Sequence, residues 1–305
     1  MTFNEETDDS ASPFGRAMME IKDNLWRESF HLKDFILKDY YNINLSKKLL
    51  RLYDAMKFNT TMAHLSLDGV LLTMKDIDQV CNIIQENSTI MRLSLRRCQL
   101  KKKHIFILSK ALKKNDTLQE ICLAQNEVGD DGLQCLIESL HSNTKLRKLD
   151  LSDNCIGHVG VKCIADFMLL NKSEMLKSIL QAYVGEEGAE YYSQDISLSL
   201  EELDLSLNDI GDKGAQVLSN AVGNNSMLRA LNLGYTGITS QGIKIFAHAL
   251  TTNKVLESIE FYGKNLEEPG MKTLVETFSE RSCLNEIFLD YGSIAKNREQ
   301  LGIKV

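Results

Sequence analysis

The chain has 305 residues, 43% of them hydrophobic and 25% charged, and a formal net charge of −7. That length exceeds the size at which one compact core usually stops growing, so two domains or one elongated repeat array are the options. The acidic balance argues against nucleic acid or an anionic membrane as the main partner, because both reward clustered Lys and Arg; no apolar run approaches the ~20 residues of a spanning helix.

In chain order, residues 1–13 are polar and acidic and are expected to form a disordered tail. No basic stretch followed by an apolar core opens the chain, so no secretory signal is expected. Residues 14–61 read as a helical cap. Within them, residues 15–31 carry Met18, Ile21, Leu25, Trp26 and Phe30, the pattern of an amphipathic helix. That helix is expected to seal the N-terminal end of the core; the alternative is a helix that docks a partner. Leu32-x-x-Phe35-x-Leu37, followed by Leu49, Leu52 and Asn59, reads as an irregular first repeat.

From Met62 the pattern L-x-x-L-x-L recurs. It begins at Met62, Ile90, Leu118, Leu146, Leu200, Leu228, Leu256 and Leu284, with a spacing of 28 residues and one gap of 54. Other columns keep the same register. Asn126, Asn154 and Asn208 stand eight residues after the first position, with Cys98 in the same slot. Gly132, Gly160, Gly214, Gly242 and Gly270 stand fourteen after it. Asn87, Asn115, Asn143, Asn171, Asn225 and Asn253 stand twenty-five after it. A period of this size with this motif marks leucine-rich repeats. The gap is expected to hold a degenerate repeat over 174–199, with a strand near Leu176–Ile179, making nine strands from Met62 onward. The solenoid is placed at 62–294 and a C-terminal cap or tail at 295–305.

Each column has a physical reading. The short L-x-x-L-x-L strand turns its leucines into the core. The turn Asn can both donate to and accept from the backbone of neighbouring turns. The Gly column is expected to allow a tight entry into the helix, and the late Asn to end the helix in the left-handed conformation. Leu133, Leu136, Ile137 and Leu140 lie on one helical face. The fold class is therefore α/β, a solenoid with one parallel sheet inside the curve and helices outside it.

The motif from Leu200 through Leu203, Leu205, Asn208, Ile210 and Gly211 to Gly214 resembles the ribonuclease-inhibitor subfamily of leucine-rich repeats. That group includes ribonuclease inhibitor, the sensor ends of NOD-like receptors, the Ran GTPase-activating protein, tropomodulin and several ciliary regulatory proteins. The resemblance covers about residues 32–294. It implies a horseshoe that grips proteins on its concave face and rim.

Catalytic signals are absent from the sequence. There is no G-x-x-x-x-G-K-[ST] loop, no H-E-x-x-H and no serine in G-x-S-x-G, and the six histidines lack ligand spacing. Carboxylates are numerous, but they are expected on a sheet surface without a cleft. The seven cysteines are scattered, odd in number and free of C-x-x-C, which suits reduced, mostly buried thiols of a cytoplasmic protein. The N-x-S/T triplets at Asn59, Asn87, Asn115 and Asn171 fall at a fixed repeat position, so a structural cause is expected rather than glycans. No enzyme activity, cofactor or metal site is expected.

Binding is expected where strand side chains point away from the core. One candidate surface joins Tyr235, Tyr262, Phe288 and Tyr291 with Glu202, Asp204, Asn232, Glu260, Glu286 and Asp290. Exposed aromatics supply many interface hot spots, and the carboxylates would steer a basic protein surface. The alternative is that the tail covers these repeats. A second candidate is Arg92, Arg96 and Arg97, for which ordinary pairing with Asp68 or Glu120 is the plainer reading. The expected function is a non-enzymatic interaction module or scaffold. The alternatives are a GTPase activator of the Ran-directed type and a subunit of a cytoskeletal or ciliary assembly.

Overall fold

The computed structural model describes residues 12–23, 30–31, 45–141, 143–170, 200–263, 268–279 and 284–289. The chain opens with α1 (Pro13–Lys22), β1 (Phe30–His31) and α2 (Leu45–Met56). Then strand and helix alternate: β2 (His64–Ser66), α3 (Met74–Glu86), β3 (Arg92–Ser94), α4 (Lys102–Leu112), β4 (Glu120–Cys122), α5 (Gly129–Leu140), β5 (Lys148–Asp150) and α6 (His158–Leu170). The second half continues with β6 (Glu202–Asp204), α7 (Gly211–Asn224), β7 (Ala230–Asn232), α8 (Ser240–Leu250), β8 (Ser258–Phe261), α9 (Glu268–Ser279) and β9 (Glu286–Leu289).

All nine strands form one parallel sheet in strict sequence order. Equivalent leucines pair across it, Leu93 with Ile121, Leu149 with Leu203, and Leu231 with Ile259. Each helix from α2 to α9 packs on the next. Strands repeat every ~4.8 Å while packed helices need ~8–10 Å, so the sheet takes the inner side of the curve. Between the layers runs one continuous core; in one repeat it comprises Leu228, Leu231, Leu233, Ile238, Ile243, Phe246 and Leu250. Each such side chain contributes about 1.5–3 kcal/mol of gross transfer free energy, which is why a unit with only a three-residue strand holds its shape within the stack.

Two asparagine ladders tie the turns together. Asn126 Nδ2 donates to the Leu95, Leu123 and Ala124 carbonyls, and its Oδ1 accepts from the N–H groups of Cys98 and Leu100. Asn208 does the same for the preceding turn, reaching Asn154 and Ile156. In the second ladder, Asn87, Asn115 and Asn253 donate to carbonyls of the previous repeat and accept from the N–H groups of the residues two and three positions further on.

Four sequence expectations need correction. First, the strand placed near Leu176 does not lie between its neighbours, because β5 pairs directly with β6, Lys148 opposite Glu202. Among the described residues eight strands follow Met62, and β1 makes the ninth; residues 171–199 and the degenerate repeat assigned there lie outside the described residues. Second, the head helix stops at Lys22, and Phe30 is a buried strand residue opposite Leu65; Leu25, Trp26 and the Leu32–Leu37 segment lie outside the described residues. Phe14, Met18 and Ile21 of α1 are buried, and α1 packs on α2.

Third, the late asparagines are not left-handed. Asn87 and Asn225 are extended, with φ of −88° and −77°; their worth lies in the buried amide that replaces the missing backbone partners of the helix end. Fourth, the glycine column does not shape the helix entry. A Cβ at Gly160 would lie 2.5 Å from Asp130 Oδ1, and one at Gly270 would lie 2.8 Å from Ser240 Cα. These glycines let consecutive helices approach. The left-handed entry belongs to Gly129 and Gly211, with φ of 64° and 61°.

Candidate functional site

The sheet's inner face carries the second, fourth and sixth residues after each first Leu, and the seventh forms the rim. That rim position is left-handed in six repeats: Gly69, Arg97, Gln125, Asp153, Leu207 and Tyr235 have φ of 53–73°, while Gly263 has φ of 152°. The conformation is imposed by the ladder. Leu207 N–H donates to the Gly234 carbonyl at 2.8 Å, and Tyr235 N–H donates to the Tyr262 carbonyl at 2.6 Å. Bulky side chains tolerate this region poorly, yet Leu207 and Tyr235 stand in it and are 51% and 54% exposed.

Tyr235 stacks on Tyr262, with centroids 6.2 Å and planes 24° apart. Gly234 makes this possible, since a Cβ there would lie 2.6 Å from Tyr262 Cδ2. Phe288, on the last strand, is 42% exposed. An apolar strip thus runs along the C-terminal repeats from Leu207 through Tyr235 and Tyr262 towards Phe288. Sequence reading missed Leu207 and Gly234. Their signal was available, because Leu207 occupies the same repeat column as Tyr235 and Gly234 the same column as Tyr262.

Beside the strip, a shallow concavity of about 170 Å³ opens over β5–β8, where a sheet without a cleft was expected. Lys148, Asp150, Glu202, Asp204, Asn232 and Glu260 are among the residues that line it. Asp204 accepts from Asn232 Nδ2 at 3.0 Å and from Ser206 N–H at 2.8 Å. Burial pushes the Asp204 carboxyl above its ordinary range, and the charge of Asp150 adds to that. Burial also raises Glu260, helped by Asp204 nearby. Tyr262 is raised by burial and by Glu260. Lys148 is ion-paired with Glu202. The concavity is therefore a partly dried, under-compensated anionic surface, which a cation would relieve.

The predicted residues do not all meet. Glu202, Asp204, Asn232, Tyr235, Glu260 and Tyr262 share one continuous surface, and Glu286 is exposed at its far edge. Asp290, Tyr291 and the tail at 295–305 lie outside the described residues. Ser66, although it stands in an inner-face column, is 1% exposed. In the arginine group, Arg92 faces Glu120 at 3.6 Å and Arg96 Nε donates to Gln125 Oε1 at 2.7 Å, while Arg97 projects from the rim.

For catalysis the described residues offer little. No group of three or more His, Cys, Asp or Glu among them is placed to hold a metal. The thiols of Cys81 and Cys98 are pushed up to about 12, and that of Cys122 to about 11, by burial first, so they stay protonated and poorly nucleophilic at neutral pH. The amides of Asn59, Asn87 and Asn115 are buried and occupied by carbonyls, out of reach of glycosylation. No helix among the described residues is long and apolar enough to cross a membrane.

Strand, turn, helix and asparagine ladder in a 28-residue unit define a leucine-rich-repeat solenoid. Residues 114–136, 142–165, 197–219 and 224–247 match the family described as Leucine Rich repeat. No curated protein matches the chain. Among solved structures it is similar to Leiomodin-1 Actin-Binding Site 2 (ABS2), at 17% identity and a TM-score of 0.39, over 60% of this chain and 92% of that one; a likeness that loose carries no functional argument.

Proposed function

We propose that the chain is a non-catalytic protein-interaction module that holds a partner on the inner face of its C-terminal repeats. One observation carries the reading: Leu207 and Tyr235 are held exposed in a backbone conformation unfavourable to both, beside the Tyr262 ring and a row of under-compensated carboxylates. Apolar side chains kept in solvent at a backbone cost have no folding benefit to explain them. Aromatic anchors ringed by charge are the usual anatomy of an interface. The carboxylates favour a partner surface carrying Arg or Lys.

The GTPase-activating alternative rests on fewer groups, since Arg92 and Arg96 are engaged and Arg97 is left to reach a nucleotide-bound partner. Photo-crosslinking distinguishes the readings. A photoreactive residue at Tyr235 should capture partners that the same residue at Gln216, on the helical side, does not. Capture should disappear with Leu207→Ser and Glu260→Gln. Equal capture from both positions overturns the assignment of the inner face.

A further inference from the structure

We infer a second interaction surface on the opposite, helical side: the outer stripe of α4 docks an acidic polypeptide segment bearing an apolar anchor. Residues 87–115 carry nine Lys or Arg and no Asp or Glu, while the rest of the chain holds 26 Lys or Arg against all 42 Asp and Glu. Lys103, Phe106, Lys110 and Lys113 follow one another at helical spacing and are all exposed, Phe106 at 50%. Lys110 Nζ lies 4.1 Å from the centroid of the Phe106 ring. Lys103, Lys110, Lys113 and Lys114 have no carboxylate within ion-pair distance among the described residues, whereas Lys101 and Lys102 of the same repeat are matched by Glu127 and Asp131.

Lys110, in the last turn of α4, suits the helix dipole, but the lysines at its start do not. The first turn of α4 carries Lys102 and Lys103 and no acidic residue; α6 and α8 also lack a first-turn acid, whereas α3, α5 and α7 carry Asp76, Asp130 with Asp131, and Asp212. Lysines there oppose the helix dipole. A local rule broken without a partner inside the molecule points to one outside it. The shape of the charge selects the partner. The cationic stripe is one helix wide, and both neighbours expose carboxylates: Asp78 and Glu86 on α3, Asp131 and Glu138 on α5. A duplex or a membrane would press its phosphates against those acids as well. A single acidic chain fits between them, with its apolar residue over Phe106.

The test is fluorescence anisotropy on the full chain with a labelled peptide of about 14 residues, Glu and Asp flanking a central Leu-Leu, long enough to span the helix. Lys103→Glu with Lys110→Glu and Lys113→Glu should weaken binding about tenfold or more. Phe106→Ser, which changes no charge, should weaken it about threefold. The charge-matched control Lys213→Glu with Lys244→Glu and Lys254→Glu should stay within about twofold of wild type. All these side chains are exposed, and circular dichroism checks that each variant is folded. The inference is overturned if the control loses binding equally, if Phe106→Ser binds as wild type, or if a DNA duplex or a phosphatidylserine vesicle binds the same lysines more tightly than the peptide.

Discussion

The backbone N–H of Asn154 donates to Asn208 Oδ1 at 3.0 Å, although 54 residues separate the two. The asparagine ladder thus crosses the break in the 28-residue period without a missing rung, as do the sheet, through β5 and β6, and the helical layer, through α6 and α7. Asn208 is 3% exposed; its amide satisfies three carbonyls and two N–H groups around the join.

Asn208→Ala should therefore destabilise the chain by about 3 kcal/mol or more, because each buried group left unpaired costs about 1–3 kcal/mol. Urea denaturation followed by far-UV circular dichroism checks this. Since repeats couple mainly to their neighbours, the loss should fall at the join and broaden or split the transition. A change under about 1 kcal/mol would mean that water takes over the rungs.

Leu207 and Tyr235 lead to the opposite stability effect. Asn tolerates the left-handed region far better than Leu or Tyr does, and both side chains are exposed, so little burial is lost. Leu207→Asn should raise stability by about 0.5–1 kcal/mol, and Tyr235→Asn by less, because it also loses the stack on Tyr262; both should abolish partner capture at the rim. Stabilisation with capture intact would show that this strip is idle.

How much of this was legible beforehand follows from periodicity. The leucine columns gave the strands, the register and the inner face, because a repeat reads its own geometry many times over. Leu203, Leu205 and Asn208 sit where their columns demanded. What the columns could not separate was two reasons for one residue type. Gly132 and Gly160 look like turn glycines in sequence, yet they serve helix contact, while Gly129 and Gly211 carry the positive φ. At the join, a gap near twice the period suggested one more strand in the stack, whereas β5 pairs directly with β6; the repeat expected over 174–199 lies outside the described residues. The concavity over Asp204 and Glu260 was invisible because it depends on side-chain size across four strands.

The two glycine roles give contrasting expectations. Gly160→Ala forces a Cβ to within 2.5 Å of Asp130 Oδ1 and 3.1 Å of its Cα, and Asp130 is already fixed by the Gly157 N–H at 2.7 Å. Overpacking of this kind costs about 1–3 kcal/mol. At Gly211 nothing lies within 4 Å of a Cβ, so Gly211→Asn should be close to neutral. Thermal denaturation of the pair separates close packing from backbone strain; equal losses would contradict the distinction.

His104 supplies a pH dependence. Its Nδ1 accepts from the Lys101 N–H at 3.0 Å, and burial, with Lys101 nearby, lowers the imidazole below its ordinary value of 6.5. A base lowered in the folded state favours the neutral form. Its contribution is present above 6.5 and is lost as pH falls through the lowered folded value. Wild type should lose more stability than His104→Gln on acidification through that window; parallel curves would remove His104 from the account.

Asp204 should show the reverse sign. Its carboxyl is raised in the folded state, from burial first, so the ionised form is the one the fold disfavours. The protein gains stability from this site as pH falls through the raised value, and the gain is complete below the ordinary 3.8. At neutral pH Asp204→Asn should therefore be more stable than wild type, with the difference closing in acid. A cationic partner reverses the preference by favouring the ionised form, so the affinity of wild type for its captured partner should fall on acidification, and that of Asp204→Asn should be weaker and flatter with pH. Denaturation and binding measured on both proteins over one pH series decide it. If Asp204→Asn is less stable at neutral pH, its hydrogen bonds from Ser206 and Asn232 outweigh desolvation; if its affinity tracks wild type at every pH, the concavity takes no cation from the partner.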